Sequence, residues 1–294
     1  MIRQPDQAPL PVVMVNGELA PGDGPSISPR DRGFTLADGL FETMRIQGGV
    51  VFRLDRHLAR LSEGLRVMQI PQPAELRAWI LRAVLHAGIT DGSVRLTVTR
   101  GPGRGGLAPP DDVQPTTAIA VGPRPNVHPD TYRVGLRAIV SSGRRNPRAM
   151  SAELKTLAYT DAVLAWLEAQ RAGADEALLL DTDDHCSEAT ASNLFVCYRG
   201  TLLTPPTTCA ALPGITREAV LELAGGLNVP ALERAFGLEE LHAADEVFLT
   251  SSLRGIAPVR SVDARPVGAG AVGGVTARLT AAYDDLVSRE CGTA

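Results

Sequence analysis

The amino-acid sequence predicts a two-domain α+β architecture, and three observations carry that expectation. Strand-like and helix-like patterns follow one another in mixed order along the chain. The length of 294 residues is enough for two moderate cores. One proline-bearing stretch, "PRPNVHPD", breaks the patterning between the two halves. The boundaries expected from this are a small α/β domain over residues 1–122, an interdomain linker over 123–134, and a larger domain over 135–294.

In chain order, "VVMVNGELA" and "FETMRIQGGVVF" show the short alternating apolar runs and glycine turns of hairpin strands. In "RLDRHLARLSEGLRVMQI", Leu54, Leu58, Leu61 and Leu65 recur at helical spacing. A second helix fits "PAELRAWILRAVLHAG", beginning just after Pro73 and stopping at Gly88. "SVRLTVTRG" alternates as a strand, "GPGRGGLAPPDD" is an irregular loop, and "TTAIAVG" is another strand. Beyond residue 131, "YRVGLRAIVSS", "EALLLDTDDH", "NLFVCYRGTLLTPP" and "EVFLTSS" read as strands, and residues 156–172, "TREAVLELAGGL" and "VTARLTAAYDDLV" read as helices.

Composition excludes several classes of function. A net charge of −4 gives no general attraction for nucleic acid, and no arginine-rich run is interleaved with aromatics. Four prolines interrupt the first 24 residues before any signal-like apolar core develops, and no segment is long and apolar enough to span a bilayer. The expectation is a cytoplasmic protein without membrane or nucleic-acid partners. Cys186, Cys197, Cys209 and Cys291 show neither a CxxC pair nor Cys/His ligand spacing, so ordinary reduced thiols and no metal site are expected.

One residue stands apart. Lys155 is the single lysine among 29 cationic side chains, the other 28 being arginine. Guanidinium stays protonated in proteins, whereas a lysine amine sheds its proton and attacks carbonyls, so a lone lysine suggests a Schiff-base nucleophile. The alternative is a chance survivor on a helix surface. Imine chemistry on amino acids needs an electron sink that protein side chains do not supply. A pyridine cofactor with a phosphate would demand an anion cradle and an acid partner for its ring nitrogen. "ALPGITREAVLELA" offers a cradle at a helix start, with the free amides of Ile215 and Thr216 and the Thr216 hydroxyl, although Thr216 also reads as an ordinary N-cap. "FLTSSLRG" offers Thr250, Ser251 and Ser252 as a second cradle or as local backbone partners. Glu188 in "HCSEATASNLFV" precedes an apolar strand and suits the ring nitrogen, or is a solvated loop glutamate. Arg100 and Arg104 in "TRGPGRGG" suit a mobile carboxylate-binding lip. The five histidines form no Ser/His/Asp order of a hydrolase.

Together and in this order, these segments resemble the class IV, or fold-type IV, pyridoxal-phosphate enzymes, from "VNGEL" to "IAPVRSVDARPVG". The resemblance implies a small α/β domain with a larger β-barrel-like domain, pyridoxal 5'-phosphate as cofactor, and a homodimer. It makes Lys155 in "LKTLAY" the Schiff-base lysine and Arg60 in "HLARL" a phosphate ligand. Tyr159, Glu188, Asn193, Leu212, Gly214, Ile215, Thr216, Ser251, Ser252 and Leu253 become cofactor contacts. Phe41, Thr43, Arg100 and Arg104 become substrate contacts. "ADGLFETMR" and "SSLRGIAPV" are similar to the D-amino-acid aminotransferase and 4-amino-4-deoxychorismate lyase branch. Phe41 and Gly106 stand where D-amino-acid enzymes carry tyrosine and histidine, which widens the expected donor to related amines. The implied activity is transfer of an amino group from a D-amino acid or related amine to a 2-oxo acid. The alternative is a lyase giving 4-aminobenzoate and pyruvate.

Overall fold

The protein was analysed as a computed structural model that describes residues 12–19 and 27–293. The proline-rich start read above for a leader, which opens the expected first domain, lies outside the described residues up to position 11, as does Ala20 of the first hairpin. The chain divides into two units, in agreement with a two-domain α+β class.

The first unit runs to Pro125 and also takes in Leu154–Ala158 and the chain from Val287. Its strands are β1 (Val12–Val15), β2 (Glu18–Leu19), β3 (Gly39–Gln47), β4 (Val50–Val51), β5 (Asp91–Thr99) and β6 (Thr116–Pro123). They form one antiparallel sheet in the order β2-β1-β6-β5-β3-β4. Leu40, Met44 and Ile46 of β3, with Val94, Leu96 and Val98 of β5, send alternate side chains into one apolar cluster. The short helix α1 (Arg32–Leu36) precedes β3, and α2 (Leu54–Met68) and α3 (Leu76–Ala87) cover the cluster with Leu61, Leu65, Leu76 and Ile80. A Cβ on Gly64 of α2 would lie 2.6 Å from Leu40 Cδ1, so the helix approaches the sheet as closely as a glycine permits.

In the second unit, α4 (Asp130–Arg133) is followed by β7 (Leu136–Arg145), α5 (Thr160–Arg171), β8 (Glu176–Asp181), β9 (Cys186–Ala189), β10 (Asn193–Tyr198) and β11 (Thr201–Thr204). Then come α6 (Ile215–Gly226), β12 (Ala231–Glu233), α7 (Leu238–His242), β13 (Glu246–Ser251), β14 (Gly255–Val262), β15 (Arg265–Pro266) and α8 (Gly274–Glu290). Strand neighbours run β10-β13-β14-β7-β8-β9, and β9 pairs back onto β10 through Glu188 and Asn193, which closes a barrel. β8 is buried along its whole length, which explains its unbroken apolar reading "EALLLD". Leu178, Leu180, Leu194, Val196, Val247 and Leu249 share one core cluster, and Phe195 stacks on Phe248 at 5.0 Å. The Glu246 carboxylate accepts from the Val275 and Thr276 amides at 3.0 and 2.7 Å, satisfying the start of α8.

One element differs from the sequence expectation at a functional place. The helix expected over 156–172 begins at Thr160, because residues before it are extended: Leu40 bridges Thr156, the Phe41 amide donates to the Lys155 carbonyl at 3.0 Å, and the Leu157 amide to Gly39 at 3.1 Å. The stretch therefore forms a short strand-like addition on β3, where β4 does not reach. Among the described residues no helix is long and apolar enough to cross a membrane.

Candidate active site

In the first unit, the Lys155 backbone is fixed by that pairing with β3, and its Nζ lies 4.4 Å from the centroid of the Phe41 ring. The Arg95 guanidinium meets the same ring at 3.5 Å. Phe41 is therefore a buried aromatic floor for two cationic side chains, of which only the lysine can act as a nucleophile. Thr43, one step further on the same strand face, is half-buried and pairs in register with Arg95.

On the other face of β3, Glu42 occupies a position whose neighbours in the alternation, Leu40 and Met44, are core residues. A carboxylate in such a place requires partners. His57 Nδ1 meets Oε2 at 2.7 Å, and Arg60 donates to Oε1 and Oε2 at 2.8 and 2.6 Å. Burial alone would push the Glu42 pKa up, but the hydrogen bonds from His57 and Arg60 outweigh it and hold the group at about 2. Burial pushes the His57 pKa down despite the carboxylate beside it, so a neutral ring donating from Nδ1 fits both groups. Arg60 thus presents its guanidinium from a fixed fork.

The Arg100 and Arg104 lip needs correction. Arg100 is buried and donates to both Asp38 oxygens, at 2.8 and 3.1 Å, and to the Gln69 and Met68 carbonyls at 3.0 and 2.7 Å. With its donors engaged in this way it is a structural anchor. Asp38 is shared with Arg32, which also donates to the carbonyls of Gly106, Leu107 and Ala108 and so holds the loop. Burial opposes ionisation of Asp38, yet the hydrogen bonds from Arg100 and Arg32 keep its pKa below the usual carboxylate range. Arg104 is exposed on the loop.

In the second unit, Glu188 is buried at the barrel seam. Its Oε2 accepts from the Leu212 amide at 2.9 Å and from Asn193 Nδ2 at 3.4 Å, and its Oε1 faces Arg145 Nη1 at 3.2 Å. Asn193 also donates to the Leu212 carbonyl at 2.7 Å, so side chains of β9 and β10 fix the backbone that leads into α6. Gly214 is the N-cap of that helix and no side chain caps it; Ile215 and Thr216 are buried in its first turn. Thr216 is therefore not the N-cap. Thr250 Oγ1 and Ser187 Oγ are buried without a hydrogen-bond partner among the described residues. Ser251, Ser252 and Leu253 follow Thr250 at a half-buried turn, and Tyr159 is half-buried at the start of α5.

An uncapped helix start, an unpartnered buried threonine hydroxyl and a buried carboxylate suit a ligand with an anionic end and a protonated ring nitrogen. The residues present therefore fit pyridoxal phosphate. Sequence reasoning missed Glu42, His57 and Arg145. An acid in the core alternation of β3 marks Glu42, and the three-residue spacing of His57 and Arg60 on α2 marks its partners. Nothing distinguishes Arg145 from the other arginines.

Comparison with known proteins agrees with this chemistry. Residues 39–262 match the family described as amino-transferase class IV. A putative branched-chain-amino-acid aminotransferase of Methanocaldococcus jannaschii is 34% identical over 278 residues, 93% of this chain and 96% of that protein. The structure of a 4-amino-4-deoxychorismate lyase from Pseudomonas aeruginosa superposes with a TM-score of 0.83 at 36% identity, covering 94% of this chain and 98% of that one. A solved branched-chain amino acid aminotransferase with pyridoxamine 5'-phosphate, from the source abbreviated T.th., gives a TM-score of 0.90 at 28% identity, covering 97% and 96%.

Proposed function

Because the chain belongs to the class IV aminotransferases, which work with pyridoxal phosphate, we propose that it moves the amino group of a branched aliphatic amino acid to a 2-oxo acid. The observation that carries this reading is the lone Lys155 amine held over the Phe41 ring by main-chain pairing with β3. The branched-chain names of full-length relatives support the donor class. They give no support to the D-amino-acid donor expected from "ADGLFETMR", which stays as a competing arm of the assay.

When bound, pyridoxal phosphate supplies the electron sink for negative charge developing at the substrate Cα. Lys155 would hold it through Nζ and, once released by the incoming amine, take the Cα proton as general base and return it as general acid. Glu188, kept ionised by donors from Leu212, Asn193 and Arg145, would accept the ring N–H and keep that nitrogen protonated. The amides of Ile215 and Thr216, the Thr216 hydroxyl and the Ser251–Leu253 turn would receive the phosphate, with Arg60 as its cation. Phe41 and Thr43 would border the substrate, and Tyr159 and Gly214 the cofactor. As further parts of this reading, the enzyme is a cytoplasmic homodimer whose partners are small molecules.

A second reading is favoured by the 36% identity to the lyase, whose reaction calls on a lysine and a pyridinium in the same way. Steady-state assays with L-leucine, D-alanine or (R)-1-phenylethylamine and 2-oxoglutarate, beside aminodeoxychorismate alone, separate the readings. L-leucine is expected to turn over fastest. Formation of 4-aminobenzoate with no transfer from any donor would replace transamination with the lyase.

A further inference from the structure

Outside the residues assigned above, Asp181, His185 and Cys209 each present one ligand atom within 4.8 Å of the others. Asp181 ends β8, His185 follows the tight turn after it, and Cys209 closes the 3-10 turn Thr207–Cys209. Asp181 and Cys209 are buried, at 1% and 3% exposure, whereas His185 is half-exposed. The Asp181 carboxylate is held in place because Oδ1 accepts from the Asp183 and His185 amides, both at 2.9 Å. Its Oδ2 is left toward His185 Nδ1 at 3.4 Å, longer than a good hydrogen bond. Cys186, the next residue, packs in the barrel's apolar cluster, but Cys209 does not belong to that cluster.

A carboxylate oxygen, an imidazole nitrogen and a thiol sulfur are the donor set that zinc-class divalent cations take in tetrahedral sites, with three protein ligands leaving a fourth position for water. The half-exposed imidazole gives the entry path. We infer that Asp181, His185 and Cys209 form a binding site for one divalent cation of the zinc class. On binding, the Cys209 S–H bond breaks, its proton goes to solvent, and sulfur bonds to the metal with no change of oxidation state.

The site has a consequence for the cofactor cradle, which rests on the function proposed above. His185 lies three residues before Glu188, and Cys209 three residues before Leu212, the pair already joined by the Leu212 amide. A cation bridging the two segments ties together both strands of that cradle and stiffens it.

The test uses the pyridoxal-phosphate-loaded protein, stripped with a chelator and dialysed, then titrated with Zn²⁺ and separately with Cd²⁺. About one ion per chain is expected, with a thiolate-to-Cd²⁺ ultraviolet band and a raised melting temperature. Cys209→Ser should remove the band, and His185→Ala, at a half-exposed position that leaves the core intact, should weaken binding at least about tenfold. Absence of stoichiometric binding to the wild type, or equal binding by both variants, overturns the inference. Binding is read without substrate, so an active transaminase that takes up no cation would sink the site alone. A protein that binds the cation through these residues but transfers no amine would sink the proposed function alone.

Discussion

Replacing Gly214 by alanine tests how the barrel seam builds the cofactor cradle. Its backbone, at φ −74 and ψ 137, is extended and comfortable for alanine, so no strain arises from the main chain. The collision is with a side chain: a Cβ there would stand 1.9 Å from Asn193 Oδ1. Asn193 must swing away and give up its 2.7 Å bond to the Leu212 carbonyl, together with its weaker contact to Glu188. Losing the bond while leaving a buried group unpaired costs about 1–3 kcal/mol, against about 0.4–1 kcal/mol gained from restricting the unfolded chain. The net loss is about 1–2 kcal/mol, roughly a tenfold shift in the folding equilibrium. Urea denaturation of Gly214→Ala, Asn193→Ala and the double variant measures it. The cost of Gly214→Ala should vanish, or turn into a small gain, in the Asn193→Ala background. An equal cost in both backgrounds would refute the reasoning.

Other outcomes follow from the same structure. Glu42 at about 2, against its ordinary 4.5, stabilises the fold fully above pH 4.5, and that share, about 3 kcal/mol, is lost as pH falls toward 2. The depressed His57 pKa acts in the same direction, its contribution falling as pH drops below 6.5, so Glu42→Gln should flatten the acid limb of stability measured by thermal melts. An unchanged acid limb would count against the Glu42, His57 and Arg60 cluster. Arg100→Ala should lower stability by about 3 kcal/mol or more because it leaves Asp38 with one fewer partner in a buried network, whereas Arg104→Ala should stay within about 0.5 kcal/mol. Urea midpoints compare the two, and a larger loss for Arg104→Ala would reverse their assigned roles. Lys155→Ala should lose the imine absorbance of the loaded protein and all transfer activity, with a melting curve close to wild type; retained activity would remove Lys155 from the chemistry.

Legibility in the sequence followed the range of the forces involved. Period-two alternation marked β3, β5 and β13, and leucine spacing marked α2, because these patterns are local. The start of α5 was misplaced because pairing of Lys155 and Thr156 with β3 crosses more than a hundred residues, and local helix propensity gave way to it. Arg100 looked like a substrate clamp from its glycine-rich surroundings, since its true partner, Asp38, lies 62 residues away. Asp181 and His185 are four apart, but Cys209 joins them only through the fold, so ligand spacing alone could not find the cluster. Lys155 and Glu188 were readable because the sequence singles out the chemistry each supplies: one deprotonatable amine among arginines, and an acid ahead of an apolar strand.

The central claim, that this chain carries out class IV amino transfer through Lys155, is tested most directly by reduction and peptide mapping. The pyridoxal-phosphate-loaded protein is treated with borohydride before and after a single turnover with L-leucine. The account predicts a phosphopyridoxyl label on the Lys155 peptide alone, its disappearance after L-leucine, and release of one keto acid per active site. A label on any other residue, or a Lys155 label that persists through incubation with every amine donor, would contradict it.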